Sequence, residues 1–448
     1  MRTILTYLAA GVVSLAACSS PGTGGEVTDV GADAAKADVS LVTDADTAAA
    51  GTDVAAMADV AASEVADATA AGEDAVSDVA TDAAESPDIP GFFDDAGGDV
   101  AIVCGATGGV KGVACAPKAG VSVAFAQVAL DLTTPCLTGT TTFHADATAD
   151  AKGAYQFSNV PPGTGTVTVI KGSFQTQLSV SVVGGKILDL SQAGSDRCFK
   201  ASGVKIAVIK GDADAIEQLL DDLGFAWDGY ESNGATSTGA KLLGDAKKLG
   251  GYDVLFIDCS STLEGIFTSA NKANMVANLQ AFVAAGHSLY ASDWAWQFVE
   301  AAFPNAIDFY GDDTSTKKST TKPDLTAGPR QGPGPTLKEK QAGAGAFVMS
   351  GTIVDSGLAA VLGKASTAIY EDLGTWVVMQ TAGSGASVEI EAAVKDGAND
   401  WGTVPLVVRF PSGKGQVVYT SFHNIAVKDA GAPVDDIHAI LTYLVFTL

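Results

Sequence analysis

Val204-Lys-Ile-Ala-Val-Ile209 and Asp253-Val-Leu-Phe-Ile-Asp258 are two short apolar runs that decide the fold class of the second half of the chain. A segment with helical periodicity, residues 213–223, lies between them, and a third apolar run, Ser288-Leu-Tyr-Ala-Ser292, follows a second helical segment. Strands that are buried on both faces have such uninterrupted apolar sequences, and their alternation with helices is typical of βαβ units. Residues 203–448 are therefore predicted to form an α/β domain with a mainly parallel sheet.

The remainder of this region is also rich in strand patterns. The predicted elements are strands over residues 376–379, 388–391, 404–410 and 416–420, and a final helix over 434–446. A segment rich in Gly, Pro and Lys between residues 312 and 345 has little periodicity and is predicted to be a surface loop.

Residues 101–200 have a different pattern, with short alternating runs separated by turn signals such as Asp150-Ala-Lys-Gly153 and Pro161-Pro-Gly163. Such runs predict a small antiparallel β-sandwich. Its predicted strands are residues 121–125, 140–143, 154–157, 165–170 and 178–182.

Four of the six cysteines lie in this β-rich region. Four cysteines allow three disulfide connectivities. We favour the pairs Cys104–Cys115 and Cys136–Cys198, which close one short loop and one longer one. A zinc site is the competing interpretation, but no Cys-x-x-Cys spacing supports it, so no metal ligand is assigned.

The N-terminal segment combines Arg2, an apolar stretch and the sequence Leu15-Ala-Ala-Cys18. This order is typical of a secretory signal, and about a dozen apolar residues are too few to span a bilayer. The sequence resembles the lipobox of bacterial lipoproteins, which implies lipidation of Cys18 and a signal peptide over residues 1–18. Ser19 is compatible with sorting to the outer membrane, so a lipid-anchored cell-envelope protein, periplasmic or surface-exposed, is expected.

Residues 19–100 form an Ala- and Asp-rich segment with 19 acidic residues and one base, Lys36. This composition cannot bury enough apolar surface to fold, and it predicts a disordered linker. Most of the chain's net charge of −26 therefore belongs to the linker, and the mildly acidic remainder argues against nucleic acid as a partner.

The run Asp150-Ala-Lys-Gly-Ala-Tyr-Gln-Phe-Ser-Asn-Val-Pro-Pro-Gly163 resembles the carboxypeptidase regulatory-like (transthyretin-like) family. That resemblance covers most of residues 101–200 and implies a structural or adhesive module. His144 and Asp146 in this region are interpreted as an exposed pair rather than metal ligands.

The later region resembles the class I glutamine amidotransferase-like superfamily, in its ThuA-like branch. Three segments carry the resemblance, namely residues 252–258, residues 283–294 and Gly415-Gln-Val-Val-Tyr-Thr-Ser-Phe-His-Asn424. The resemblance implies a flavodoxin-like fold. An active member needs a cysteine at a tight strand-to-helix turn and a histidine followed two residues later by Glu. Here the turn falls at Ser292-Asp293-Trp294, and Ile425 takes the place of the Glu.

Three candidate site residues remain. Asp293 and His423 are placed by the resemblance at the carboxyl edge of the sheet, where a carboxylate beside an imidazole can perform acid–base chemistry. Asp293 is also interpreted as a helix cap, and Cys259, one βα unit too early for the family nucleophile, as a buried inert thiol. Trp294, Trp296 and Tyr290 are interpreted as packing residues.

The expected function is non-catalytic binding of an unknown protein or glycan, with no cofactor. The alternatives are an envelope hydrolase that uses Asp293 and His423 on glycans or peptides, and a purely structural surface protein.

Overall fold

The computed structural model describes residues 102, 104–118, 120–139, 141–191, 197–267, 270–309, 347–371, 376–396, 399–424 and 434–448. The predicted signal peptide with Cys18, the linker 19–100 and the insertion 312–345 lie outside these residues. Within the described part of the chain, no helix has the length and apolar character needed to cross a membrane.

Alternating apolar residues build a β-sandwich from two sheets at the start of the described chain. Val128, Leu130 and Leu132 of one strand are buried, while the residues between them face outward or are partly covered. The strands are β1 Gly108–Val113, β2 Gln127–Thr133, β3 Thr142–Thr148, β4 Ala154–Val160, β5 Gly163–Lys171, β6 Phe174–Val182 and β7 Ile187–Asp189. The sheets have the orders β4-β1-β7 and β3-β2-β5-β6. The all-β region is thus consistent with the predicted sandwich.

One predicted strand of this region is wrong. Residues 121–125 contribute only an isolated bridge between Ser122 and Cys115, and the strand follows at β2. Phe125 has a left-handed φ of 54°, which no strand residue adopts. The chain therefore turns at Phe125 before it enters the sheet.

The four cysteines of the β-rich region form two disulfides, but our favoured connectivity is wrong. Cys104 is bonded to Cys136, and Cys115 is bonded to Cys198. Cys115 follows β1, and the backbone N–H of Phe199 donates to the Cys115 carbonyl at 2.9 Å, so the fold itself brings Cys198 to this point. Sequence proximity favoured the short loop, whereas the sheet decides which cysteines meet.

Residues 206–448 form a nine-stranded sheet with helices packed against it. Its strands are β8 Ile206–Lys210, β9 Trp227–Glu231, β10 Val254–Ile257, β11 Ser288–Ser292, β13 Phe347–Ile353, β14 Ser366–Glu371, β16 Ser387–Asp396, β17 Asn399–Ser412 and β18 Gly415–Thr420. β12 Ile307–Phe309 and β15 Met379–Ala382 form a separate two-stranded sheet. The helices are α1 Ile216–Leu223, α2 Thr238–Gly244, α3 Ala246–Leu249, α4 Lys272–Ala284, α5 Trp296–Ala302, α6 Ser356–Leu362 and α7 Val434–Val445.

The large sheet is mixed, which corrects the prediction of a mainly parallel one. Strands β9, β8, β10, β11 and β18 are parallel, and β17, β16, β13 and β14 extend the sheet in antiparallel fashion. A short turn at Gly413 and Lys414 joins β17 to β18. Such a tight connection permits only antiparallel pairing, whereas the early strands are separated by helices.

The sandwich and the α/β region share a core, and residues 101–448 form one compact unit. Phe446 after α7 lies 5.0 Å from Phe174 of the sandwich between ring centroids and 5.8 Å from Phe225. At the β5–β6 turn, Gly172 has a φ of 55°, and the N–H of Ser173 donates to the Leu448 carbonyl at 2.6 Å. A side chain at Gly172 would collide with that carbonyl.

Candidate functional site

The predicted site residues follow three neighbouring parallel strands at their carboxyl ends. Cys259 comes two residues after β10, Asp293 directly follows β11, and His423 comes three residues after β18. The spatial order β18-β11-β10 places Asp293 between the other two. Ligands bind at this edge in open α/β sheets, so the sheet order alone brings the three side chains to a chemically relevant place.

The side chains of Cys259, Asp293 and His423 converge on one point. The Cys259 thiol donates to Asp293 Oδ2 over 3.5 Å, and His423 Nε2 lies 3.3 Å from the same oxygen. The donor atoms of all three residues lie within 4.8 Å of one another. We call these three residues the edge cluster.

Asp293 is held in this position by its backbone and by its second carboxylate oxygen. Its φ of 36° is left-handed, which costs a non-glycine residue about 1–3 kcal/mol. Asp293 Oδ1 accepts the Val377 N–H at 2.6 Å, and the Asp293 carbonyl accepts the Tyr419 hydroxyl at 2.8 Å. The strain is thus maintained by contacts that aim Oδ2 at the cysteine and the histidine.

The interpretation of Asp293 as a helix cap is wrong. The residue opens a short 3-10 turn, Asp293–Ala295, and α5 begins at Trp296 without a side-chain cap. The carboxylate faces the strand ends instead. It occupies the tight strand-to-helix turn at which the amidotransferase resemblance expects a cysteine.

The edge cluster is closed to solvent. The exposed fraction is 0% for Cys259 and Asp293 and 3% for His423. Burial raises the pKa of Asp293, and the hydrogen bond and charge of His423 offset part of that increase. Cys259 also belongs to a small buried apolar cluster with Ala213 and Trp294.

The aromatic residues around the turn are packing residues. Tyr290 is fully buried against Phe256, and Trp296 packs against Phe309. The hydroxyl of Tyr290 is hydrogen-bonded to Thr420 at 2.9 Å, which ties β11 to β18. These contacts leave the rings of Tyr290 and Trp296 inside the core.

Asp214 is a fourth polar residue at this edge that the sequence interpretation missed. It accepts hydrogen bonds from Ser292 Oγ at 2.5 Å and from the Asn424 N–H at 2.9 Å. Ser292 Oγ in turn accepts the Cys259 N–H at 2.9 Å. Asp214 lies in the segment after β8, so the rule that strand ends share an edge identifies it too. Its contacts connect the segments that carry the edge cluster.

Asp258 adds a further buried acid next to Cys259. Burial, together with the nearby carboxylates of Asp214 and Glu217, raises the pKa of Asp258 well above its ordinary range. Burial and the neighbouring carboxylates therefore favour the neutral form of the Asp258 carboxyl group.

His144 and Asp146 lie far away on the exposed face of β3. His144 Nδ1 is 2.7 Å from Asp131 Oδ1, and Nε2 is 3.0 Å from Asp146 Oδ2. Hydrogen bonds to Asp131 and then Asp146 raise the pKa of His144. The carboxylate at each ring nitrogen favours the protonated imidazolium.

Comparison with known proteins places the chain in no family. No protein-family model and no curated protein sequence matches it. Among solved structures, a candidate GMP synthase component from Thermoplasma acidophilum has a TM-score of 0.32 and 9% identity over 55% of this chain and 94% of its own. A cytoplasmic protein of Salmonella typhimurium LT2 has a TM-score of 0.33 and 13% identity over 54% and 98%.

The β-galactosidase of Bacillus circulans sp. alkalophilus has a TM-score of 0.29 and 12% identity, over 54% of this chain and 30% of its own. Similarities at this level carry no argument about activity. The function of this chain is therefore inferred from its own residues.

Proposed function

We propose that this chain is a lipid-anchored cell-envelope protein whose folded part binds a ligand without catalysis. In this proposal Cys18 carries the lipid, residues 19–100 are the tether, and residues 101–448 combine a carboxypeptidase regulatory-like sandwich with a flavodoxin-like, amidotransferase-like α/β region. The two disulfides support an extracytoplasmic location, since such bonds persist in oxidising compartments.

The observation that carries the non-catalytic role is the closure of the edge cluster. A nucleophile or general base has to come within about 3 Å of its substrate. Cys259 and Asp293 have no exposed surface, and His423 is 3% exposed. Asp293, which occupies the turn of the expected nucleophile, is already engaged by Val377, His423 and Cys259.

A cleft elsewhere on the α/β region supports the binding role. Its volume is about 510 Å³, and its lining includes Lys205, Trp227, Asp228, Lys248 and Tyr252. Sites for small ligands have volumes of roughly 300–1,000 Å³. The half-buried Trp227 ring, beside the exposed Asp228 carboxylate and Lys248 ammonium group, suits a sugar, because the C–H face of a sugar packs on a ring while its hydroxyls bind charged groups. We therefore propose an envelope glycan as the ligand of this cleft.

The test has a catalytic arm and a binding arm, both with the full-length protein. In the first, glutamine, aryl esters, aryl glycosides and peptides are offered to the wild type, to Asp293→Asn and to His287→Gln. His287 is a half-buried residue that stacks on Phe282 outside the edge cluster, so its replacement serves as the control. We expect no turnover that depends on Asp293. Turnover that Asp293→Asn abolishes and His287→Gln preserves would establish the hydrolase alternative.

In the binding arm, soluble peptidoglycan fragments are titrated by calorimetry. We expect Trp227→Ala to weaken binding about tenfold, which corresponds to about 1.4 kcal/mol, and Trp227→Phe to retain most of the affinity, because it keeps an aromatic ring in the cleft. Equal affinity of the wild type and Trp227→Ala for the peptidoglycan fragments would exclude this cleft as the glycan-binding site. An absence of binding to wild type would remove the glycan proposal.

A further inference from the structure

The edge cluster has the donor set of a transition-metal site. Thiolate, imidazole and carboxylate are the three side-chain types that bind zinc in proteins, and a tetrahedral ion with three protein ligands keeps a fourth position for another group. Cys259, Asp293 and His423 supply one of each. They come from segments far apart in the sequence, so no local sequence motif predicts the site.

The donor separations fit a tetrahedral ion. With zinc bonds of about 2.3 Å to sulfur and about 2.0–2.1 Å to oxygen and nitrogen, tetrahedral angles place sulfur and oxygen about 3.5 Å apart and nitrogen and oxygen about 3.3 Å apart. The distances from Asp293 Oδ2 are 3.5 Å to Cys259 Sγ and 3.3 Å to His423 Nε2. Both separations from Asp293 Oδ2 therefore match a tetrahedral ion, and the donor atoms of Cys259 and His423 lie within 4.8 Å of each other.

Charge balance also favours a dication at this place. A thiolate and a carboxylate buried together repel each other and lose their hydration, which costs several kcal/mol per ion. A divalent cation neutralises both, with His423 as the neutral third ligand. On binding, the thiol proton of Cys259 is released to solvent, as metal sites with cysteine require.

Surrounding hydrogen bonds preorganise the central ligand. The Val377 N–H occupies Asp293 Oδ1, which leaves Oδ2 for the ion, and the Tyr419 hydroxyl fixes the Asp293 carbonyl. Partners of this kind orient ligands, and their loss lowers metal affinity about 10–100-fold. The left-handed φ of Asp293 serves the same geometry.

We propose that Cys259 Sγ, Asp293 Oδ2 and His423 Nε2 bind one divalent ion of the zinc class. The ion fastens the carboxyl ends of β10, β11 and β18 to one another, a small molecule such as water takes its fourth position, and its burial slows its exchange with solvent. The site is independent of the proposed glycan cleft, so either proposal can fail while the other stands.

The first experiment measures metal content and metal affinity in the full-length protein. Elemental analysis after dialysis is expected to give about one zinc per chain. Cys259→Ser, Asp293→Asn and His423→Gln are each expected to lower zinc affinity more than 100-fold, and Tyr419→Phe about tenfold. The matched control His144→Gln, which alters the exposed His–Asp cluster, is expected to retain the ion.

A second measurement does not depend on whether the variants fold. Cobalt(II) added to metal-depleted wild-type protein is expected to give a sulfur-to-metal charge-transfer band and the strong visible bands of tetrahedral cobalt. Wild-type protein that takes up neither zinc nor cobalt after depletion and refolding would overturn the proposal. Uptake without a thiolate band, or an affinity that Cys259→Ser leaves unchanged, would overturn it as well.

Discussion

Phe446→Ala tests whether the sandwich and the α/β region unfold as one cooperative unit. The Phe446 ring is 2% exposed and contacts Phe174 of the sandwich and Phe199 of the segment between the two regions. Removal of a buried phenylalanine ring costs about 3–5 kcal/mol, because the lost apolar contacts leave a cavity. We expect a loss of about 4 kcal/mol, since Phe446 packs against three other rings.

Two probes report on the two regions during urea unfolding. All five tryptophans lie between residues 227 and 401, so tryptophan fluorescence follows the α/β region. Hydrogen exchange of amides in β2 and β5 follows the sandwich. Both transitions are expected to move together to lower urea in Phe446→Ala.

Phe143→Ala is the matched control. Phe143 lies on β3 and is only half-buried, so its removal is expected to cost about 1 kcal/mol. In Phe446→Ala, the fluorescence transition could shift while the β2 and β5 amides keep their wild-type protection from hydrogen exchange. That result would refute cooperative unfolding of the sandwich with the α/β region. A loss below about 1 kcal/mol would refute the packing argument.

Two further predictions concern the sandwich. The Cys115–Cys198 bridge spans 83 residues and the Cys104–Cys136 bridge spans 32. Loss of chain entropy in the unfolded state then gives stabilisations of about 4.5 and about 3.7 kcal/mol, respectively. Replacement of both cysteines of the first bridge by serine should therefore lower the free energy of unfolding in urea more than the same replacement in the second bridge. An opposite ranking, or peptide mapping that finds other pairs, would contradict the connectivity. The raised pKa of His144 means that its stabilising contribution is present below the ordinary histidine pKa and is lost as the pH rises through the raised value. NMR titration should show the raised pKa, and His144→Gln should destabilise the protein at pH 5 and have no effect in alkaline solution; an unshifted titration would contradict this.

The parallel strands β8, β10, β11 and β18 were predictable because they are buried on both faces, whereas the edge strand β9 is mostly exposed and was not predicted. The run Val254–Ile257 has no polar residue, and an uninterrupted apolar run of this length is typical of a central strand. The strands after residue 347 were only partly predictable. Their direction depends on hairpin connections such as that at Gly413, and the apolar pattern of a strand carries no information about its direction.

The residues of the edge cluster were predictable, but their geometry was not. The rule that strand ends share an edge places Cys259, Asp293 and His423 together. The left-handed φ of Asp293 depends on contacts with Val377 and Tyr419, which are 84 and 126 residues away in sequence. The prediction of the disulfide connectivity was wrong for a similar reason, since the fold of the sheet determines which cysteine lies next to Cys115.

The reactivity of the Cys259 thiol in the native protein tests most directly whether the edge cluster is closed. Full-length protein is treated with an alkylating reagent in the presence of a chelator, so that a bound metal does not protect the thiol, and labelling is mapped by mass spectrometry. We expect no alkylation of Cys259 under native conditions and complete alkylation in denaturant, because the side chain has no exposed surface. Rapid labelling of Cys259 in the folded protein would contradict the closed edge cluster and would identify an accessible thiol beside Asp293 and His423.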